Sequence, residues 1–139
     1  LRFVRLETLP IYIPTHIREN EKGMEIFIRT VEELEKLQKE LSDIFELDKH
    51  PFEVKKKITS GMRRIAPMGV ATTIGWSCNL RTLRHVIEQR TDPSAEEEIR
   101  LLFSQVFKIV KERYPNLFAD YEVEIVDNIP WVKTKNKKV

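Results

Sequence analysis

Basic and amide side chains are concentrated in two short stretches of the sequence. The first is the pair Arg63 and Arg64. The second stretch contains Asn79, Arg81, Arg84, His85, Gln89 and Arg90. On a helix, Arg81, His85 and Gln89 follow the i, i+4, i+8 spacing and therefore share one face, the polar stripe. Guanidinium groups bind phosphate and planar acceptors with two hydrogen bonds, so the stripe could be an anion or nucleotide site. A solvated basic face has the same spacing, and both interpretations stay open on spacing alone.

Other catalytic arrangements have little support in the sequence. The three histidines, His16, His50 and His85, lack a metal-ligand spacing such as HExxH, and no Gly-rich phosphate loop occurs, so we expect no metal site. The single cysteine, Cys78, excludes an internal disulfide and a multi-cysteine metal site. A nucleophilic Cys78 paired with His85 stays open. A lone cysteine among apolar and β-branched residues is more often a small buried hydrophobe.

Length and composition are those of one folded domain over residues 1–139. Hydrophobic residues make up 41% and charged residues 33% of the chain, and the net charge is +2. So small a charge does not indicate nucleic-acid or membrane binding. No stretch reaches the roughly 18 apolar residues that span a bilayer. A single cysteine also fits a reducing compartment, so we expect a cytoplasmic protein.

The apolar spacing predicts an α+β fold that is mainly helical with a few short strands. Helices are expected over residues 22–47, 52–65 and 79–90, and from 92 or 94 to 114. Asn79 is the expected N-cap of the third helix. The fourth helix begins either with Asp92 as the cap and Pro93 at its first position, or with Ser94 as the cap and Glu97 closing a capping box.

The segments outside these helices are expected to be extended or loose. Residues 2–7 are compatible with a strand, and residues 70–78 with a strand or an extended segment, because both are rich in β-formers. The lysine-rich end, about residues 127–139, is expected to be a loose basic tail.

The stretch that begins at Arg64 resembles the flavin-dependent thymidylate synthases, the ThyX family. That family carries an R-x-x-L-P element, then a strand, then the pattern N-x-R-x-x-x-[NH]-x-x-x-x-R-x-[DS]-x-x-A-x-x-E-I. The second pattern is matched by Asn79, Arg81, His85, Arg90, Asp92, Ala95, Glu98 and Ile99. Arg2 and Phe3 are similar to the end of the family's RHR signature motif, with Phe in place of Tyr. Because so many positions match at fixed spacing, this resemblance is far more specific than a lone Gly-rich loop.

The resemblance implies a function and a set of site residues. In this family FAD takes hydride from NADPH and works with methylenetetrahydrofolate to convert dUMP to dTMP. The residues that would contact dUMP are Arg2, Arg64 and Arg90. The residues that would contact FAD are Asn79, Leu80, Arg81 and His85. Arg90 would also be catalytic, because its charge beside the uracil ring would stabilise the N3-deprotonated form. The family's homotetramers, whose active sites combine several subunits, imply a dimer or tetramer.

The match also implies the C-terminal portion of such an enzyme, because the RHR triplet and the signature serine are not among these residues. We expect this chain alone to be inactive. It could be a deliberately shortened chain, a proteolytic product or a truncated relative. Two other interpretations stay open: a non-catalytic nucleotide-binding or regulatory module, and a helical oligomerisation domain built on the helix at residues 22–47. An RHR motif upstream in the parent reading frame would favour the enzyme over both.

Overall fold

The computed structural model describes residues 6–136. The chain divides between Ile74 and Gly75 into two units. Helices predominate, and the two regular strands within the described residues form one antiparallel pair, which confirms the mainly helical α+β prediction. The single domain over residues 1–139 stays a prediction. Arg2 and most of the segment at 2–7 lie outside the described residues.

The first unit contains three α-helices and two short 3-10 helices. The α-helices are α1 (Thr15–Arg18), α2 (Glu21–Ile44) and α3 (Phe52–Met62). The 3-10 helices are Leu47–Lys49 and Arg63–Ile65. α2 begins after Asn20, whose side chain accepts a hydrogen bond from the backbone N–H of Gly23 at 2.9 Å and so caps the helix. These bounds agree with the predicted helices to within a few residues.

The core of the first unit is formed by residues from the beginning and the end of that unit. Leu6, Leu9 and Val70 are buried together. The half-buried side chains packed against them are Ile11, Val31, Leu34 and Ala66. Ile11 and Val70 form an isolated antiparallel bridge, and residues 71–78 have no regular strand, so the extended alternative applies there.

The second unit begins with two α-helices, α4 (Leu80–Thr91) and α5 (Glu97–Arg113), followed by a 3-10 helix (Pro115–Phe118). The predicted N-cap is confirmed: the Asn79 side chain accepts a hydrogen bond from the backbone N–H of Thr82 at 2.9 Å. The predicted start of α5 is wrong in both forms. The Asp92 carboxylate accepts hydrogen bonds from the backbone N–H and the hydroxyl of Ser94, which holds these residues in a turn. The helix therefore starts at Glu97, without a side-chain cap.

The expected loose tail is wrong over residues 127–134, because this stretch completes a β-hairpin. Strand β1 (Tyr121–Val126) pairs antiparallel with β2 (Ile129–Thr134). Asp127 and Asn128 connect the strands with φ angles of 54° and 61°. Two consecutive left-handed residues are typical of a type I′ turn, which asparagine and aspartate tolerate well. The hairpin is therefore fixed by its turn and by burial of β2.

The hairpin supplies part of the core of the second unit. Its buried members are Ile87, Phe107, Phe118, Tyr121 and Val132. The rings of Phe118 and Tyr121 lie 5.7 Å apart between centroids, within the range of favourable aromatic contacts. No helix within residues 6–136 combines the length and apolarity needed to cross a membrane.

Candidate functional site

A cleft of about 1160 Å³ lies in the second unit, lined by α4, the β-hairpin and the segment between α5 and β1. The α4 wall includes all three members of the polar stripe, Arg81, His85 and Gln89. The facing elements contribute Asp120, Tyr121, Glu122, Trp131, Lys133, Thr134, Lys135 and Asn136, among others. This volume is slightly above the range of about 300–1,000 Å³ that is common for small-molecule sites, so the cleft has room for a nucleotide-like ligand.

The stripe side chains make no hydrogen bond or ion pair with other side chains or with the backbone within the described part of the chain. Arg81 and Gln89 are exposed, and His85 is half-buried. Their placement follows from the sequence, because residues four apart on a helix lie one above the other. Asn79 fixes where that helix begins. Three polar side chains that line a cleft without protein partners are available to a ligand.

Arg84, from the same helix, uses its guanidinium group in hydrogen bonds within the protein. Its Nη2 donates to Asp120 Oδ1 at 3.0 Å and to Oδ2 at 2.8 Å, and its Nη1 donates to the carbonyl oxygen of Leu117. The guanidinium also lies 4.5 Å from the centroid of the Tyr121 ring, and the Tyr121 hydroxyl donates to the Arg84 carbonyl oxygen at 3.0 Å. Arg84 therefore joins α4 to the start of the hairpin, a structural role.

Asp120 is the centre of this network. Its Oδ2 also accepts hydrogen bonds from Thr134 Oγ1 at 2.9 Å and Asn136 Nδ2 at 3.3 Å. The hydrogen bonds from Arg84 hold the pKa of Asp120 well below its usual value, and those from Thr134 and Asn136 add to the effect. The same contact raises the pKa of Arg84, and burial raises that of Tyr121. The carboxylate and the guanidinium are thus both charged at neutral pH.

The hairpin wall presents an indole and two lysines. The Lys133 ammonium lies 4.4 Å from the centroid of the Trp131 ring and is paired with Glu124 across the strands. Lys135 lies 3.4 Å from Glu122, but both side chains are largely exposed, so water weakens this pair. The wall therefore combines a flat aromatic surface with ammonium groups.

The remaining predicted site residues are not among those that line this cleft of the second unit. Asn79 and Leu80 stand at the N-terminal end of α4, where the Asn79 side-chain oxygen is used by the cap. Arg90 is exposed in the last turn of α4 and does not line the cleft. Arg64 belongs to the first unit, in the 3-10 helix after α3, and is exposed there. Arg2 lies outside the described residues.

Cys78 lies outside the cleft. Cys78 is exposed, so its expected burial is wrong, and it does not line the cleft with His85. Among the residues that the structure describes, no three His, Cys, Asp or Glu side chains are grouped to hold a metal ion.

Sequence reasoning missed the hairpin wall, although a signal was present. Residues 121–126 alternate between apolar and charged side chains until Val126, and Asp127-Asn128 then separates them from a second β-rich run. Alternation on both sides of a two-residue turn of this type indicates a hairpin. The lysines near the end of the sequence indicated a loose basic tail instead.

Comparisons with known proteins found a matching family model and several similar relatives. A family model described as "Thymidylate synthase complementing protein" (Thy1) matches residues 1–116. A flavin-dependent thymidylate synthase of Corynebacterium diphtheriae is 29% identical over 131 residues, which cover 91% of this chain and 52% of the relative. A flavin-dependent thymidylate synthase of Thermosipho melanesiensis is 29% identical over 127 residues, which cover 87% of this chain and 55% of the relative. A flavin-dependent thymidylate synthase of Thermus thermophilus is 32% identical over 65 residues, which cover 47% of this chain and 24% of the relative.

The chain thus spans about half the length of the first two relatives. The family match covers Arg64 and every residue of α4, and it ends before the hairpin. Because the family model matches most of its residues, this chain belongs to the Thy1 family, the thymidylate synthase complementing proteins.

Proposed function

We propose that this chain forms part of a cytoplasmic flavin-dependent thymidylate synthase, which converts dUMP to dTMP with methylenetetrahydrofolate and NADPH. Its contribution is the FAD-binding surface on α4 and a share of the dUMP contacts. The observation that carries this proposal is the cleft in which Arg81, His85 and Gln89 stand together without protein partners.

The residues present in the cleft fit a flavin nucleotide. FAD carries a pyrophosphate, and an unpaired arginine is the side chain best suited to hold phosphate oxygens through two hydrogen bonds. FAD also carries flat rings, and the cleft includes the Trp131 indole. The volume of about 1160 Å³ has room for such a ligand.

Each residue of the α4 surface has a binding role in this proposal. Arg81 holds phosphate oxygens, and His85 donates a hydrogen bond one helical turn further along the same face. Asn79 uses its oxygen as the N-cap and keeps its side-chain amide N–H groups for the ligand. Leu80, 45% exposed, supplies an apolar contact beside it. When bound, FAD supplies the hydride chemistry, whereas these residues bind and orient it.

Arg64, Arg90 and Arg2 are the proposed dUMP contacts. A dianionic phosphate is best held by several arginines, and a guanidinium beside uracil lowers the pKa of its N3 by favouring the anion. This is the catalytic role proposed for Arg90. Arg64 and Arg90 are exposed and therefore accessible to such a ligand.

Self-association completes the proposed site. The active sites of the family combine residues of several subunits, so one chain holds only part of each site. We therefore propose a homodimer or homotetramer in which the cleft contributes its α4 wall.

The test is FAD binding to this chain and to variants of the stripe, followed by flavin fluorescence. Arg81→Ala and His85→Ala should each raise the Kd by about tenfold, the effect of losing one hydrogen bond to a charged group. Arg29→Ala and His16→Ala are matched controls, since both residues are exposed on helices of the first unit. They should bind FAD like the parent chain.

Two results would contradict the proposal. One is a parent chain that does not bind FAD at millimolar concentration. The other is FAD binding that Arg81→Ala and His85→Ala leave unchanged, since the stripe would then be a solvated face.

A further inference from the structure

We propose that Trp131 stacks on the isoalloxazine ring of FAD and so forms the second wall of the flavin site. The inference rests on the proposed function and identifies a residue beyond it. Trp131 lies in β2, outside the residues 1–116 that the family model matches. It is therefore not part of the α4 surface on which the proposed function rests.

Trp131 lies in the cleft and not in the core of the second unit. It lines the same cleft as the polar stripe and is half-buried there. Its partner across the hairpin is Glu124, a charged residue. The core of the second unit does not include it. A large aromatic side chain that is half exposed in a cleft and paired with a carboxylate contributes little packing.

The backbone on both sides of Trp131 is held in place. The carbonyl oxygen of Pro130 accepts a hydrogen bond from Ser104 Oγ at 3.2 Å. The backbone N–H of Val132 donates to Thr91 Oγ1 at 3.0 Å, and Val132 is fully buried. Ser104 belongs to α5 and Thr91 to α4, so these two hydrogen bonds join β2 to both helices. The strand cannot shift away from α4 without breaking the bond to Thr91. The backbone at Trp131 is therefore ordered before a ligand binds, which lowers the entropic cost of binding and favours affinity.

The ring chemistry also suits a flavin. Indole is an electron-rich ring, and oxidised isoalloxazine is a flat, electron-poor ring, so the two attract when stacked. The Lys133 ammonium covers one face of the indole at 4.4 Å. The stack therefore uses the opposite face. Arg81 and His85 hold the ligand from α4 while Trp131 contacts its ring from the hairpin.

The experiment uses the full chain, which has two tryptophans, Trp76 and Trp131. Trp76 is 54% exposed, contacts Phe103 edge-on and does not line the cleft, so Trp76→Phe is the matched control. FAD is titrated into the parent chain, Trp76→Phe, Trp131→Phe and Trp131→Ala. Flavin fluorescence gives the Kd, and absorbance detects the long-wavelength shoulder of an indole–flavin charge-transfer pair. A thermal melt of each variant verifies that it is folded.

The expected result is a Kd about five- to 100-fold higher for Trp131→Ala, the range for losing one aromatic stack on a planar ring. Trp131→Phe keeps a ring and the fold, and should give a smaller rise with no charge-transfer shoulder. Trp76→Phe should keep both the parent Kd and the shoulder.

The other outcomes separate this inference from the proposed function. If FAD binds with the parent Kd to both Trp131 variants, and Arg81→Ala still weakens binding, the inference is overturned and the flavin site stands. If FAD binds to none of the proteins, both are overturned. A shoulder that disappears in Trp76→Phe instead would also overturn the inference, because the stacked indole would be Trp76.

Discussion

Removal of the Asp120 carboxylate should loosen the hairpin wall from α4. Asp120 accepts two hydrogen bonds from Arg84 at 3.0 and 2.8 Å and further ones from Thr134 and Asn136. The Arg84 and Asp120 side chains are 26% and 29% exposed. Breaking a fully buried pair costs about 3–5 kcal/mol. Water reaches this pair in part, so we expect Asp120→Ala to lower the free energy of unfolding by about 2 kcal/mol at pH 7.

The pH dependence of this loss has a defined sign. The pKa of Asp120 lies below its ordinary value of 3.8 because Arg84 stabilises the charged form. The stabilisation is therefore fully present above about pH 4 and is lost as the pH falls towards the lowered pKa of the folded protein. Asp120→Asn keeps the shape of the side chain but cannot titrate. The difference between the parent and Asp120→Asn should shrink steadily below pH 4.

Urea unfolding followed by circular dichroism, at several pH values from 7 to 2.5, measures both effects. Glu122→Gln is the control, since the Glu122–Lys135 pair is 57% and 87% exposed and should contribute less than about 0.5 kcal/mol. A double-mutant cycle with Arg84→Met isolates the coupling between the two side chains. Equal stability of Asp120→Asn and the parent at pH 7, or a difference that persists unchanged at pH 2.5, would refute the reasoning.

Four further predictions follow from the fold and the proposed function. Thr91→Val should lower the free energy of unfolding by about 1–3 kcal/mol in urea, because it leaves the buried N–H of Val132 without its acceptor; parent-like stability would show that this bond contributes nothing. This chain alone should form no dTMP above background from dUMP, NADPH, FAD and methylenetetrahydrofolate, since part of a site lacks preorganisation; turnover would contradict the partial-site proposal. Light scattering at micromolar concentration should detect a dimer or tetramer, because α2 exposes apolar side chains such as Ile44 at 73%; a monomer would contradict self-association. Arg90→Ala and Arg90→Lys should both weaken dUMP binding by about tenfold in equilibrium dialysis, because lysine lacks the planar fork; unchanged binding would remove Arg90 from the site.

The helices were predictable because their signals are local. The apolar spacing of α2 to α5 repeats every three or four residues, and Asn79 lies directly before a helical run. Caps and periodicity act within a few residues of chain, so they can be read without knowing the fold. The stripe of Arg81, His85 and Gln89 could be predicted for the same reason.

The start of α5 and the hairpin depended on competing interactions. Asp92 and Ser94 are both good N-caps, but their side chains bond within their own turn and leave Glu97 to begin the helix. Local turn bonds of this kind compete with capping. In the hairpin, the lysines from Lys133 to the end of the sequence indicated a tail, and the alternating pattern of β1 was too weak a signal against them. Burial of Val132 against the helices decides the structure.

The second wall of the cleft could not be predicted from motif spacing. Asp120 and Arg84 are 36 residues apart, and no pattern in the sequence pairs them. Such contacts depend on the tertiary packing of α4 against the hairpin. A site built from one helix is visible in a sequence, and a site built from a helix and a distant hairpin is visible only in the fold.

Amide chemical-shift mapping during an FAD titration tests the central claim most directly. The perturbation is FAD added to the isotopically labelled chain, and the readout is the shift of each backbone amide. A flavin site in the cleft predicts the largest shifts at residues 81–89 and 131–136, the two walls of the cleft. Shifts confined to residues outside these ranges, or no shifts at millimolar FAD, would contradict it.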